Sequence, residues 1–195
     1  MRLRFRWRGL PKAAPSLVTA VVIASAAALW HNLPEPTDVY GPFDVHAAVG
    51  QQATGRAITT TVTGVRIGPQ VSVSPPTRTV PAAGVWVVVD AVVAATRSFE
   101  LPHTELAVGP NVYIPSDQFW RAPLGAELGP GIMQRGSWVF DVPADLLDAA
   151  QAVALRVWVG DGRLDSRLVV HIPLDDQRVR RDEAAMLEPV TETGV

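Results

Sequence analysis

Apolar and polar positions alternate with a period of two in several short runs between residues 57 and 173, the spacing of strands whose side chains point to opposite faces. AITTTVTGVRIG, residues 57–68, is rich in β-branched residues and puts Ile58, Thr60 and Val62 on one side and Thr59, Thr61 and Thr63 on the other. SWVFDVP, 137–143, alternates and ends at a proline; ADLLDAAQ, 144–151, predicts a short helical or turn-like insertion. AVALRVWV, 152–159, sets Val153, Leu155, Val157 and Val159 against Arg156 and Trp158. Gly160-Asp161-Gly162 then predicts a hairpin turn with positive φ, and LDSRLVVHIP, 164–173, returns with Leu164, Leu168, Val170 and Ile172 inward.

One run breaks the alternation. GVWVVVDAVVAATRSFELP begins at Gly84, and its apolar part, Val85 to Ala95, is eleven residues long and interrupted by Asp90. That is too short and too polar to cross a bilayer, and six of its residues are valine, which prefers pleated backbone. The run predicts a strand with Val85, Val87, Val89, Ala91 and Val93 on one face and Trp86, Val88, Asp90, Val92 and Ala94 on the other. Apolar on both faces, it belongs in the middle of a sheet covered on both sides.

The first thirty residues follow another pattern. Arg2, Arg4, Arg6, Arg8 and Lys12 precede an uncharged stretch of 18 residues, Ala13 to Trp30. A spanning helix needs about 17 to 25 residues, so 13–30 predicts one transmembrane signal anchor. The basic segment 1–12 then lies in the cytoplasm and everything after Trp30 is extracytoplasmic. A cleaved signal peptide is the competing reading, because Ala24-Ser25-Ala26 and Ala26-Ala27-Ala28 both fit an A-x-A cleavage pattern. Residues 31–54 open with three prolines in HNLPEPTDVYGPFD and read as a Pro-rich stalk; 74–84, SPPTRTVPAAG, reads as a loop, and 175–195 as a charged, mobile tail.

Short strands, Gly and Pro turns and little helix beyond the anchor predict an all-β sandwich over 55–174. The succession of VTGVR, GVWVVVDAVVAAT, LPHTELAVGPNVYIPSDQF, LGPGIMQRGSWVFDVPADL and LRVWVG resembles the immunoglobulin-like extracytoplasmic domains of uncharacterised function found on secreted, membrane-anchored and lipoprotein chains of actinobacteria and other Gram-positive bacteria. The most specific piece is G-x-x-x-x-G-x-W-V-F-D-V-P from Gly131 to Pro143. The resemblance covers about residues 55 to 173 and implies a fold, an immunoglobulin-like β-sandwich after one N-terminal transmembrane helix, and an address. It implies no reaction. Ala95-Thr96 stands where such domains often carry an asparagine.

Charge removes one class of function. Beyond Lys12 the chain holds 12 basic against 19 acidic residues, with no basic cluster for phosphate, so no nucleic-acid partner is expected. The absence of cysteine excludes disulfides, thiolate metal sites, a cysteine nucleophile and a lipid-modified cysteine. No GxSxG, HExxH, EF-hand or P-loop pattern occurs. His31, His46, His103 and His171 lie far apart in sequence, so a metal site would need tertiary convergence; no metal, cofactor or catalytic residue is expected. Asp90 with Asp141 is an example of a carboxylate pair that would serve acid/base work.

Tryptophan is more informative. Trp7 and Trp30 bracket the apolar segment as interfacial aromatics do, whereas Trp86 and Trp138 read as core. Trp158 falls on the Arg156 side of its strand, the side that normally faces water, and reads either as an exposed anchor or as covered by the tail or a loop; FWRAPLG, 119–125, reads either as a recognition loop or as a flap capping the sandwich end. The expected function is a non-enzymatic, membrane-anchored extracytoplasmic binding or scaffolding protein, an accessory subunit of a transporter- or secretion-type envelope assembly. Its expected partner surface is Arg156 and Trp158 together with Phe119, Trp120 and Arg121 of the FWRAPLG loop. A secreted module for an envelope lipid or glycan is the alternative, and a carboxylate hydrolase stands third.

Overall fold

A computed structural model describes residues 13–33, 40–74, 77–119 and 124–194, without the side chains of 13–16. The chain divides into two units, residues 1–40 and 41–195. In the first, α1 (Ala13–His31) is apolar on all sides, and its Leu17, Val18, Val21, Val22, Ile23, Leu29 and Trp30 are all exposed. Asn32 closes it by donating from its amide nitrogen to the Ala28 carbonyl, 2.7 Å away. Among the described residues no helix is long and apolar enough to cross a membrane. The span expected over 13–30 includes four residues whose side chains are not described, and the basic segment 1–12 lies outside the described residues altogether.

Residues 41–195 form a β-sandwich. One sheet runs, in spatial order, β1 (Phe43–Ala48), β9 (Ser166–Pro173), β8 (Ala152–Val159), β5 (Pro102–Val108) and β6 (Asn111–Tyr113). The other runs β10 (Val179–Arg181), β3 (Ile58–Val73), β4 (Arg78–Ala95), β7 (Ile132–Val142) and β12 (Thr191–Gly194), with β2 (Gln52–Thr54) and β11 (Ala184–Leu187) also paired to β3. α2 (Ala144–Ala149) follows β7 directly, as the sequence predicts. Period-two alternation delivers Val87, Val89, Ala91 and Val93 of β4 and Trp138, Phe140 and Val142 of β7 into the space between the sheets. There they meet Leu106, Leu155, Val157, Leu168, Val170 and Ile172 from the opposite sheet. A bulge between Val62 and Gly64 resets the phase of β3, so Val62 and Val65 both point inward although three residues apart.

β4 is covered on its other face as well. Trp86 and Val88, with Val139 of β7, carry a second apolar cluster made by Val71, Val80, Phe119, Ala185 and Leu187. Trp86 is 1% exposed, donates its indole N–H to the Val80 carbonyl at 3.0 Å, and meets the Phe119 ring edge-to-face at 5.2 Å.

Several sequence expectations need correction here. The stalk does not extend to residue 54, because β1 and β2 within it are strands of the sandwich. The stretch 74–84 is not all loop: β4 begins at Arg78, and Pro81 is tolerated because it sits at the irregularity between Gly68 and Gln70, where the ladder is already broken. The segment expected as a mobile tail over 175–195 is not one over its described residues, 175–194. It supplies β10, β11 and β12, whose pairing comes from the exposed edges of β3 and β7. Leu164 is not inward; it sits at φ 51° in the hairpin loop and is exposed, beyond the predicted positive-φ glycines Gly160 and Gly162.

Candidate functional site

The five-stranded sheet presents its outer face to solvent, and register decides which side chains meet there. β5 and β8 set His103 opposite Trp158 and Glu105 opposite Arg156. β9 sets Val169 beside Arg156, and β1, running parallel to β9, sets Asp44 beside Arg167 and His46 beside Val169. The inward residues of these strands fill the core, so the outward set has no freedom to turn over.

Trp158 and Arg156 stand on this face, as their phase against Val157 and Val159 predicts. The indole lies near-parallel to the His103 ring, centroids 5.6 Å apart at 25°. Its other neighbour is Gly162 of the hairpin turn, where a Cβ would lie 3.1 Å from the Trp158 Cδ1; a glycine at φ 74° lets the turn close against the ring. Trp158 remains half-buried, and its indole N–H makes no hydrogen bond among the described residues. Arg156 donates to Glu105 at 2.9 Å, a pair only partly shielded from solvent.

Phe119 does not join them. It is 8% exposed and belongs to the second apolar cluster, on the outer face of the other sheet, so it is not the exposed anchor the sequence suggests. The burial has a plain cause, since Trp86 and Val88 need cover and the 3-10 turn Asp117–Phe119 brings an aromatic ring to them. Trp120 and Arg121 lie outside the described residues.

The outer face of the seven-stranded sheet is occupied by the chain's own polar network. Asp90 accepts two hydrogen bonds from Arg66, at 2.9 and 2.6 Å, and one from the Ser137 hydroxyl at 2.6 Å, while Arg66 also donates to the Met186 carbonyl of β11. A cavity of about 370 Å³ beside this network is lined by Arg66, Asp90, Gln177, Arg178 and Arg180. Two of its three guanidinium groups are already engaged, Arg66 with Asp90 and Arg178 with Asp176. Asp141 is no partner for Asp90. It lies opposite Trp86, while Asp90 lies opposite Ser137 further along the same strand pair, and its carboxylate accepts the Ala83 and Gly84 backbone N–H groups at 3.0 Å each.

Asp44 and Arg167 lock β1 to β9 through a two-pronged pair at 2.8 and 2.9 Å. The hydrogen bonds from Arg167 hold the Asp44 carboxyl below its ordinary value, against the opposing effect of partial burial, and Arg56 does the same for Asp165. A carboxyl depressed in the folded state contributes stability that is complete above its unfolded value, about 3.9, and is lost as pH falls through the folded value. Asp44→Asn is therefore expected to lower stability at neutral pH and to flatten its decline in acid below about pH 4. Urea midpoints measured from neutral pH into that acid range check this; parallel curves for the two proteins would contradict it.

Sequence reasoning missed the closeness of His46 and His171, which only the β1–β9 pairing creates: their Nδ1 and Nε2 atoms are 2.8 Å apart. No short-range signal could have joined residues separated by most of the domain. No family model matches the chain, nor does any curated protein. Among solved structures it is similar to an uncharacterised β-sandwich protein from Clostridium difficile 630, at 15% identity over 71% of this chain and 99% of that chain, with a TM-score of 0.47. It is also similar to a conserved hypothetical protein from Bacillus anthracis, at 19% identity over 60% of this chain and 93% of that one, with a TM-score of 0.43.

Proposed function

We propose that this chain is a non-enzymatic, membrane-anchored binding protein whose extracytoplasmic sandwich docks a protein partner in the cell envelope, as an accessory subunit of a transporter- or secretion-type assembly. The observation that carries the reading is the contrast between the two outer faces. One is covered by the chain's own second apolar cluster, to which Ala185 and Leu187 of β11 contribute; the other carries the half-buried Trp158, whose indole N–H makes no hydrogen bond among the described residues, beside Arg156. Trp and Arg on a rigid surface are the usual anchors of protein interfaces. The space between the sheets is filled by core side chains, which favours a partner on the surface over a ligand held between the sheets.

The anchor rests on the sequence order of a basic segment followed by an uncharged helix. The immunoglobulin-like reading is supported by strand order. β3-β4-β7 on one sheet and β6-β5-β8-β9 on the other follow the A-B-E and C′-C-F-G arrangement of that fold.

Trp158→Ala tests the surface. Truncating a hot-spot tryptophan costs about 2 kcal/mol or more, so partner capture by a C-terminally tagged chain should fall about 30-fold at unchanged expression and thermal stability. Undiminished capture would remove Trp158 from the interface.

A further inference from the structure

We propose that His46 and His171 form an open two-imidazole site for a borderline divalent transition metal ion such as Zn²⁺, Ni²⁺ or Cu²⁺. Both side chains are exposed on the outer face of the five-stranded sheet. In the parallel β1–β9 ladder Ala48 sits beside His171, which places His46, two residues earlier, diagonally across from it on the same face. The ring centroids are 5.1 Å apart at 18°, and with nitrogens 2.8 Å apart the rings meet edge to edge rather than face to face. Two imidazoles bound to one ion at about 2.0–2.1 Å have ligand nitrogens about 2.9–3.4 Å apart. The rings need only part by a few tenths of an ångström and turn toward a common point.

Their hydrogen bonding leaves that movement unopposed. One ring donates and the other accepts, so the two nitrogens that would coordinate are engaged only with each other, and no further hydrogen bond to either ring is made among the described residues. Nearby charges cancel in pairs, Asp44 with Arg167 and Glu105 with Arg156, so no net positive field repels a cation. Among the described residues no group of three or more His, Cys, Asp or Glu is placed to enclose an ion. The site is therefore open, with its remaining positions left to water or an external donor, and imidazole donors select these ions over Ca²⁺ or Mg²⁺. A bound ion would clip β1, the first strand of the sandwich, to β9.

Isothermal titration of ZnCl₂ and CuCl₂ into the full chain in detergent micelles, purified on a tag free of histidine, tests the site. We expect saturable binding of a single equivalent at neutral pH. A metal-dependent rise in thermal midpoint should accompany it. Losing one of the two ligands should weaken binding in each of H46N and H171N by more than the roughly 10–100-fold that loss of an outer-shell partner costs, while H31N and H103N bind as the parent does. The two single variants, both at exposed positions, check each other for folding. Equal binding by an H46N/H171N double variant, or no binding by the parent up to about 1 mM metal, overturns the proposal.

Discussion

Trp86→Ala lowers the unfolding free energy by about 3–5 kcal/mol, as measured by urea denaturation, the largest loss expected from any single change on the outer faces of the sandwich. The residue is fully buried, yet it does not lie between the two sheets. It holds together the second cluster, in which Val71 and Val80 of the β3–β4 hairpin, Phe119, and Ala185 and Leu187 of β11 gather over β4 and β7. Removing the indole opens a cavity and leaves the Val80 carbonyl without its donor. Phe119→Ala acts on the same cluster, and a double-mutant cycle between the two rings should return a coupling of about 0.5–1.5 kcal/mol, the range for an edge-to-face pair. A loss below about 1 kcal/mol for Trp86→Ala would mean that this cover is not packed against the sheet.

The second large effect comes from Asp90. Its carboxylate is the shared acceptor for Arg66 and Ser137, and Arg66 in turn reaches the Met186 carbonyl, so one acidic side chain links β4, β3, β7 and β11. Asp90→Ala leaves a partly buried guanidinium facing a hydroxyl and should cost about 2–4 kcal/mol; Asp90→Asn, which keeps an acceptor, should cost less. Hydrogen exchange should quicken first in residues 184–187, because the arginine that reaches the Met186 carbonyl of β11 loses the carboxylate that positions it. Exchange rising evenly through the sandwich would instead show that β11 is held by its strand pairing alone.

Legibility from sequence followed the range of the interactions. The Val85–Ala95 strand, the Gly160–Gly162 turn and the outward phase of Arg156 and Trp158 are local, set by β-branching, positive φ and alternation, and they stand in the structure as read. Apolar residues on both faces of β4 announced that it is covered on both sides. They do not say that Phe119 does part of the covering, so sequence alone leaves the FWRAPLG loop open between recognition loop and capping flap. The C-terminal strands were illegible for a related reason. Three or four residues each, with charged positions in β10, carry too little alternation to register, and β10 and β11 exist because the edge of β3 offers unpaired backbone groups. The His46–His171 pair depends on the parallel docking of β1, a long-range event without a local signature.

The proposed role joins an address to a surface, and one measurement reads both. A C-terminally tagged chain is extracted gently from carbonate-washed native membranes, beside its Trp158→Ala variant, and mass spectrometry identifies its N-terminus and the proteins that co-purify. The expected result is an intact N-terminal segment still carrying Arg2 to Lys12, with a stoichiometric membrane partner that the variant loses. A mature N-terminus near Ala27, found in the soluble fraction without a partner, would contradict it.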